Sequence, residues 1–309
     1  MTLILTVLTR HYVVQVSDRL ITKQKKKPFD ALSNKVVIYR PWDAIVSIGY
    51  TGLAFLEGKP TDEWIAERLW GEPIQKPMLL FRRPRHNRTD LGLAVMRLRG
   101  EINRVASREG TTEWRNLIEI SIAGWYWQQR LARPTYAVLR KRERSSDVSL
   151  NRLDRHWHFT KQVVFSETGG WLAHDRENFA VLQTNLNRLG ADILSSPKLV
   201  ADLLAETIRS LSFVVPSIGR DLMMVLIPTP PGEVTVRNMP EHPLTPHEEG
   251  SAPTYFTPCI IGTTAMISPS TTQFGYNFLT GDIRISVDVP EFATAEPLTA
   301  SAQTRPKAP

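Results

Sequence analysis

Residues 2–19, Thr2-Leu3-Ile4-Leu5-Thr6-Val7-Leu8-Thr9-Arg10-His11-Tyr12-Val13-Val14-Gln15-Val16-Ser17-Asp18-Arg19, decide how this chain is read. Two apolar runs rich in Val, Ile and Leu flank the charged pair Arg10-His11, and the second closes on the polar triplet Ser17-Asp18-Arg19. That pattern predicts two short strands, 2–9 and 11–18. Thr2 follows Met1, and an initiator methionine is usually trimmed when residue 2 is as small as threonine. The mature chain is therefore expected to begin with Thr2. A hydroxyl and a primary amine would then share one residue, and such a threonine can act as nucleophile and supply its own base.

Working outward, two further Val- and Ile-rich runs at 35–40 and 43–48 predict strands, so the chain opens as consecutive antiparallel strands. A helix is expected from Thr61 to Leu69, with Thr61 as N-cap and Asp62 and Glu63 in its first turn. Leu91, Val95, Leu98, Ile102 and Val105 recur at spacings of four and three and mark a second helix. Strands resume at 117–127, 135–139 and 157–165. Residues 172–188 read as a helix. Another begins after Ser196-Pro197, with proline at its first position and Leu199, Leu203, Thr207, Ile208 and Leu211 on its inner face. A buried strand follows at 221–227. Strands, two helices, strands, two helices and a strand predict an α+β fold with helices layered outside sheets. Beyond Pro228 the composition turns Pro-rich, with short strands at 233–237, 259–262 and 283–288. Residues 229–290 are read as an extension packed on the domain 2–228, and 291–309 as a disordered Ala/Thr/Pro tail.

Composition narrows the classes. The chain has 309 residues, 42% of them apolar, enough for one large core or two modest ones. Lys and Arg number 38 against 31 acids, a net charge of +7 that attracts polyanions without selecting one. Cys259 is the single cysteine, so no internal disulfide or thiolate zinc cluster is available, and a reducing cytoplasm is the expected location. The apolar start is too short for a signal peptide, and no run reaches the roughly 18 apolar residues of a membrane span, so no membrane role is expected. His156-Trp157-His158 places two histidines on one strand face, but no carboxylate pattern accompanies them, so neither a metal nor a cofactor is expected. The basic groups Lys23–Lys27, Arg82–Arg88 and Arg140–Arg144 fall in predicted loops. They are read as solvated faces rather than a nucleic-acid surface.

The opening residues resemble a proteasome β-type subunit of the N-terminal-nucleophile hydrolase superfamily. The features that match are Thr2 at the start of a strand, Ser17-Asp18-Arg19 closing the second, Lys35 opening the third, and Ile48-Gly49-Tyr50-Thr51-Gly52 closing the fourth. Asp18 lies 16 residues after Thr2 and Gly49 lies 14 after Lys35, as in the family; only the loop from Leu20 to Asn34 is one residue longer. The resemblance covers roughly residues 2–228 and implies a four-layer αββα sandwich. It implies Thr2 Oγ as nucleophile and the Thr2 amine as proton acceptor, with Lys35 beside them and Asp18 holding Lys35 charged and oriented. It also implies the Gly49 backbone N–H as oxyanion donor and Ser217 as a serine supporting the amine. A free α-amine has an ordinary pKa of about 7.7–8.0, so a neighbouring ammonium need lower it only slightly for it to serve as a base near neutrality.

The match is not complete. Where active members carry an aspartate before that serine, this chain has Val214, and a further serine position maps onto either Ser166 or Thr168. The reading is therefore an N-terminal-threonine amidohydrolase or peptidase that cleaves a peptide or other amide through an acyl-enzyme, and that self-associates into a homo-oligomer. The alternative is a catalytically inactive scaffold or regulatory protein of the same fold, serving an unidentified partner; a nucleic-acid-binding protein stands third.

Overall fold

The two opening runs form a hairpin, and Thr9 turns it. Its hydroxyl accepts hydrogen bonds from the backbone N–H groups of His11 and Tyr12, at 3.1 and 2.9 Å, so Arg10 and His11 reverse the chain between β1 (Ile4–Leu8) and β2 (Tyr12–Asp18). The computed structural model describes residues 2–22, 28–30, 33–71, 80–82, 89–108, 118–128, 131–141, 148–152, 164–169, 176–190, 192–230, 232–239, 241, 257–261, 264–266 and 283–287. The basic run 23–27, the His156-Trp157-His158 triplet, most of the other basic groups and residues 291–309 lie outside them.

The remaining elements, in chain order, are β3 (Ile21–Thr22), β4 (Pro28–Asp30), β5 (Val36–Arg40), β6 (Ala44–Gly52), β7 (Phe55–Leu56), β8 (Lys59–Pro60), α1 (Thr61–Trp70), β9 (Leu80–Arg82) and α2 (Leu91–Arg108). Then come β10 (Ile118–Gln128), β11 (Leu131–Lys141), β12 (Val148–Arg152), β13 (Val164–Thr168), α3 (Arg176–Arg188), α4 (Asp192–Ser195) and α5 (Pro197–Val214). The described chain closes with β14 (Leu222–Pro228), β15 (Gly232–Met239), β16 (Cys259–Ile261), β17 (Thr264–Met266) and β18 (Ile283–Val287). The fold is α+β, as expected.

The opening strands divide between two sheets. β1 and β2 belong to a six-stranded sheet ordered β13-β1-β2-β14-β15-β18, whereas β5 and β6 belong to an eight-stranded sheet ordered β12-β11-β10-β6-β5-β16-β17-β9. The segment 229–290 is more than a cover. Its β15 and β18 extend the first sheet, and β16 pairs in parallel with β5 in the second.

Alternation along β1 and β2 assigns their faces. Leu3, Leu5, Val7, Val14 and Val16 pack in an apolar cluster with Leu182 and Leu186 of α3 and Val200, Leu204 and Ile208 of α5. Leu8, Val13, Val225 and Ile227 instead join a larger cluster with Ile48 and Ile122 of the eight-stranded sheet and with Trp64, Leu98 and Ile102 of α1 and α2. Between the sheets lies a polar island: Gln15 Nε2 donates to Ser121 Oγ at 3.0 Å, and Ser47 Oγ donates to Gln15 Oε1 at 2.6 Å. All three side chains are fully buried, and Thr6 lies 3.4 Å from the Gln15 amide.

Two local expectations are corrected. Thr61 is the first helical residue rather than the cap; Pro60 occupies the cap position, and the Thr61 hydroxyl donates to Leu53 O at 2.8 Å. The inner face of α5 is Val200, Ala201, Leu204, Ala205, Ile208 and Leu211, with Leu199 turned outward. Ala201 and Ala205 supply the flat stripe that lets the helix lie close on the sheet, and a periodicity count weighted toward leucines overlooks it.

Candidate active site

Thr2 lies just before β1, where the ends of several strands converge. Ile4 stands opposite Ser17 of β2 and Thr168 of β13, so the start of β1 is flanked by the end of each neighbour. Asp18, the last residue of β2, is fully buried. Its Oδ1 accepts the Leu3 N–H at 2.7 Å, and its Oδ2 accepts the N–H groups of Leu20 at 3.2 Å and Gly219 at 3.1 Å. One carboxylate therefore ties the backbone beside Thr2 to the chain after β2 and to the loop between α5 and β14.

Burial raises the Asp18 pKa from its ordinary value to about 6, opposed first by the positive charge of Lys35 and then by the N–H groups of Leu3 and Gly219. Lys35 is itself buried, with its ammonium 5.1 Å from the centre of the Tyr50 ring. Thr2, Asp18 and Lys35 are thus gathered at one end of the two sheets.

Ser217 is buried two residues before Gly219, and its Oγ has no hydrogen-bond partner among the described residues. The loop is tight: a Cβ on Gly219 would stand 2.7 Å from Leu20 Cβ. Val214, at the aspartate position, is the last residue of α5 and is 69% exposed, so it does not line this interior. Of the two serine-position candidates, Thr168 is buried and its hydroxyl lies 3.1 Å from Tyr136 Oη, while Ser166 stands opposite Thr6 in the β1–β13 ladder.

Gly49 is not brought to the mouth of the site. It lies within β6, opposite Val36 of β5 on one side and Ser121 of β10 on the other. The next residue, Tyr50, donates its N–H to Lys35 O at 3.2 Å, so alternation turns the Gly49 N–H toward β10. Its missing side chain makes room for the polar island instead, since a Cβ there would meet Ile4 Cδ1, Gln15 Oε1 and Ser121 Oγ at 3.0–3.1 Å. The expected oxyanion role of Gly49 is corrected by this placement.

Sequence reasoning overlooked Thr51. Its Oγ accepts the Thr2 N–H at 3.1 Å and donates to Thr2 O at 2.6 Å. The signal was Thr51's position two residues after Gly49, which puts both on the face of β6 turned toward β1. Across the ladder from Thr51, Glu119 accepts the Gly169 N–H at 3.0 Å. Gly169, at φ 118°, packs so closely that a Cβ would lie 2.4 Å from Thr2 O.

Comparison with solved structures finds a likeness of fold. The chain is similar to a mutant of Anbu from Hyphomicrobium sp. strain MC1, with TM-score 0.52 and 12% identity over 78% of this chain and 87% of that one. It is also similar to Anbu, an ancestral beta-subunit, from Yersinia bercovieri, with TM-score 0.49 and 11% identity over 74% and 82% of the two chains. The first likeness fits a proteasome-like fold, and at such identity it concerns the fold alone. No family model and no curated protein matches the chain. Among the described residues no group of His, Cys, Asp and Glu could hold a metal, and no helix is long and apolar enough to cross a membrane.

Proposed function

We propose that the protein is an N-terminal-threonine amidohydrolase or peptidase of the N-terminal-nucleophile superfamily, acting once Met1 has been removed. The observation that carries the reading is the buried Asp18 carboxylate, which fixes the backbone of the residue next to Thr2 while the Lys35 charge acts on it. In this reading Thr2 Oγ attacks the amide carbonyl and the freed Thr2 amine takes the proton. Lys35 favours the neutral amine by like-charge repulsion, and Asp18 keeps Lys35 charged and in place. The carbonyl carbon becomes an ester of Thr2, the amine of the substrate leaves with the proton, and water hydrolyses the ester. Ser217, buried with an unpartnered hydroxyl beside this loop, is assigned to support the amine.

A layer order αββα belongs to the same proposal; it is supported by the two apolar clusters, which lie on opposite faces of the six-stranded sheet and draw on different helices. Self-association belongs to it too, supported by Val181 of α3 with Leu199, Phe213 and Val214 of α5, all 48–71% exposed.

The test is intact mass combined with covalent labelling. Purified protein should lack Met1 and gain one adduct from a threonine-directed electrophile, and Thr2→Ala should gain none. Retained Met1 in native material, with no adduct, would favour the second reading, a catalytically inactive scaffold. That alternative draws on one observation, the Gly49 N–H held inside the β6 ladder rather than free to stabilise an oxyanion.

A further inference from the structure

We infer that Thr51 is a positioning residue that aims the nitrogen of Thr2, an inference that rests on Thr2 being the nucleophile. A threonine hydroxyl has one proton and two lone pairs. The 2.6 Å contact with Thr2 O commits the proton, since a carbonyl oxygen can only accept. Toward the Thr2 nitrogen, at 3.1 Å, the same hydroxyl can therefore only accept. In the structure this N–H belongs to the Met1–Thr2 amide; on release of Met1 the same acceptor holds one N–H of the amine, which leaves the nitrogen lone pair turned away from Thr51 and available to the hydroxyl of its own residue.

The hold is rigid because it is built into both sheets. Thr51 and Glu119 face each other across the β6–β10 ladder, and they grip the two neighbouring strand ends of the other sheet: Thr51 takes both backbone groups of Thr2, and Glu119 takes the N–H of Gly169. Gly169 in turn presses on Thr2 O so tightly that no side chain fits between them. The Thr2 backbone is thereby fixed from two directions. An acceptor aimed at the amine also stabilises its protonated form, opposing Lys35, so Thr51 helps set the pH at which the amine becomes a base.

The test measures the rate of Thr2 adduct formation with a threonine-directed electrophile as a function of pH, for wild type, Thr51→Val, Thr51→Ala and Thr51→Ser. Valine keeps the shape and removes the hydroxyl; serine restores it. The expected result is a loss of about ten- to a hundredfold in labelling rate for Thr51→Val and Thr51→Ala, with the rising limb of the pH profile moved to lower pH and near-wild-type behaviour for Thr51→Ser. Thr51→Ala carries the measurement should the valine variant fail to fold. Wild-type rate and pH profile in the folded valine or alanine variant overturn this inference alone. Absence of any adduct in wild type overturns the assignment of Thr2, and this inference with it.

Discussion

The carboxylate of Asp18 accepts the backbone N–H of Leu3 at 2.7 Å across 15 positions of sequence. This bond crosses the open end of the β1–β2 hairpin, where the ladder gives way to loops. It is reinforced by the reciprocal backbone bond from the Asp18 N–H to Leu3 O at 3.2 Å. Everything assigned to Thr2 depends on the position of its neighbour, so the hairpin's last carboxylate governs its first residue.

Asp18 gives the pH behaviour a definite sign. Its pKa in the fold is raised to about 6 from an ordinary value of 3.8. The folded state therefore holds the proton more tightly than the unfolded chain. The stability this contributes is fully present below pH 3.8 and is lost as pH rises through about 6. Asp18→Asn cannot take up this proton, so relative to that variant the wild type should lose on the order of 3 kcal/mol between pH 3.5 and pH 7. Urea denaturation of both proteins at those two pH values checks this; a difference that does not change with pH would show that Asp18 titrates normally.

Catalysis should run the opposite way. On the proposed reading ionised Asp18 holds the Lys35 ammonium, so amide hydrolysis or Thr2 labelling should fall on the acid side of about pH 6. Lys35→Met removes the charge that opposes burial, so the carboxyl should titrate at still higher pH. A carbon-13 titration of the Asp18 carboxyl in wild type and Lys35→Met would read the shift directly, and an unmoved or lowered midpoint in the variant would contradict the charge coupling.

How much of this was legible beforehand depends on what kind of information each residue carries. Thr2, Asp18 and Lys35 could be placed because they sit at strand boundaries, and boundaries are marked by local changes from apolar to polar sequence. Thr51 carried only the faint mark of its spacing from Gly49 and Glu119 carried none, because their importance comes from facing each other across the β6–β10 ladder, a pairing between segments far apart in the chain. Gly49 misled for a related reason. Its role came from the resemblance alone, whereas β6 continues to Gly52 and the space beside Gly49 is taken by Gln15 and Ser121. Three of the four described strands after Pro228 are legible and β17 is not, and the membership of both sheets is hidden, since no local pattern announces pairing with β5 or β14.

Two of the five glycines with positive φ among the described residues offer a contrast. Gly169 and Gly190 both have positive φ, 118° and 51°, but only Gly169 presses on another segment. Gly190→Ala should cost about 1 kcal/mol, the price of the backbone conformation alone. Gly169→Ala should cost more than 2 kcal/mol and displace Thr2, because its Cβ would lie 2.4 Å from a carbonyl oxygen. Thermal unfolding ranks the pair, and equal losses would mean that the backbone at Thr2 yields readily.

The orientation of α5 can be read from two leucines. Leu204 is fully buried against the six-stranded sheet, whereas Leu199 is 48% exposed. Leu204→Ala should destabilise by roughly 2–5 kcal/mol and Leu199→Ala by less than about 0.5 kcal/mol. Comparable losses at both positions, by chemical denaturation, would require the helix to be rotated from the face described above.

The buried amide of Gln15 has a mechanical consequence. Contact between aliphatic side chains has no preferred direction, so two greasy sheets can settle against one another at more than one offset. The bonds joining Gln15 to Ser47 and Ser121 are directional and come from different strands, so sliding one sheet by a single residue breaks both together. The trio works as a key that sets the shear between the sheets and, through it, where Thr51 comes to rest over Thr2. Replacing Gln15 with leucine should leave the strands formed but the layers free to drift.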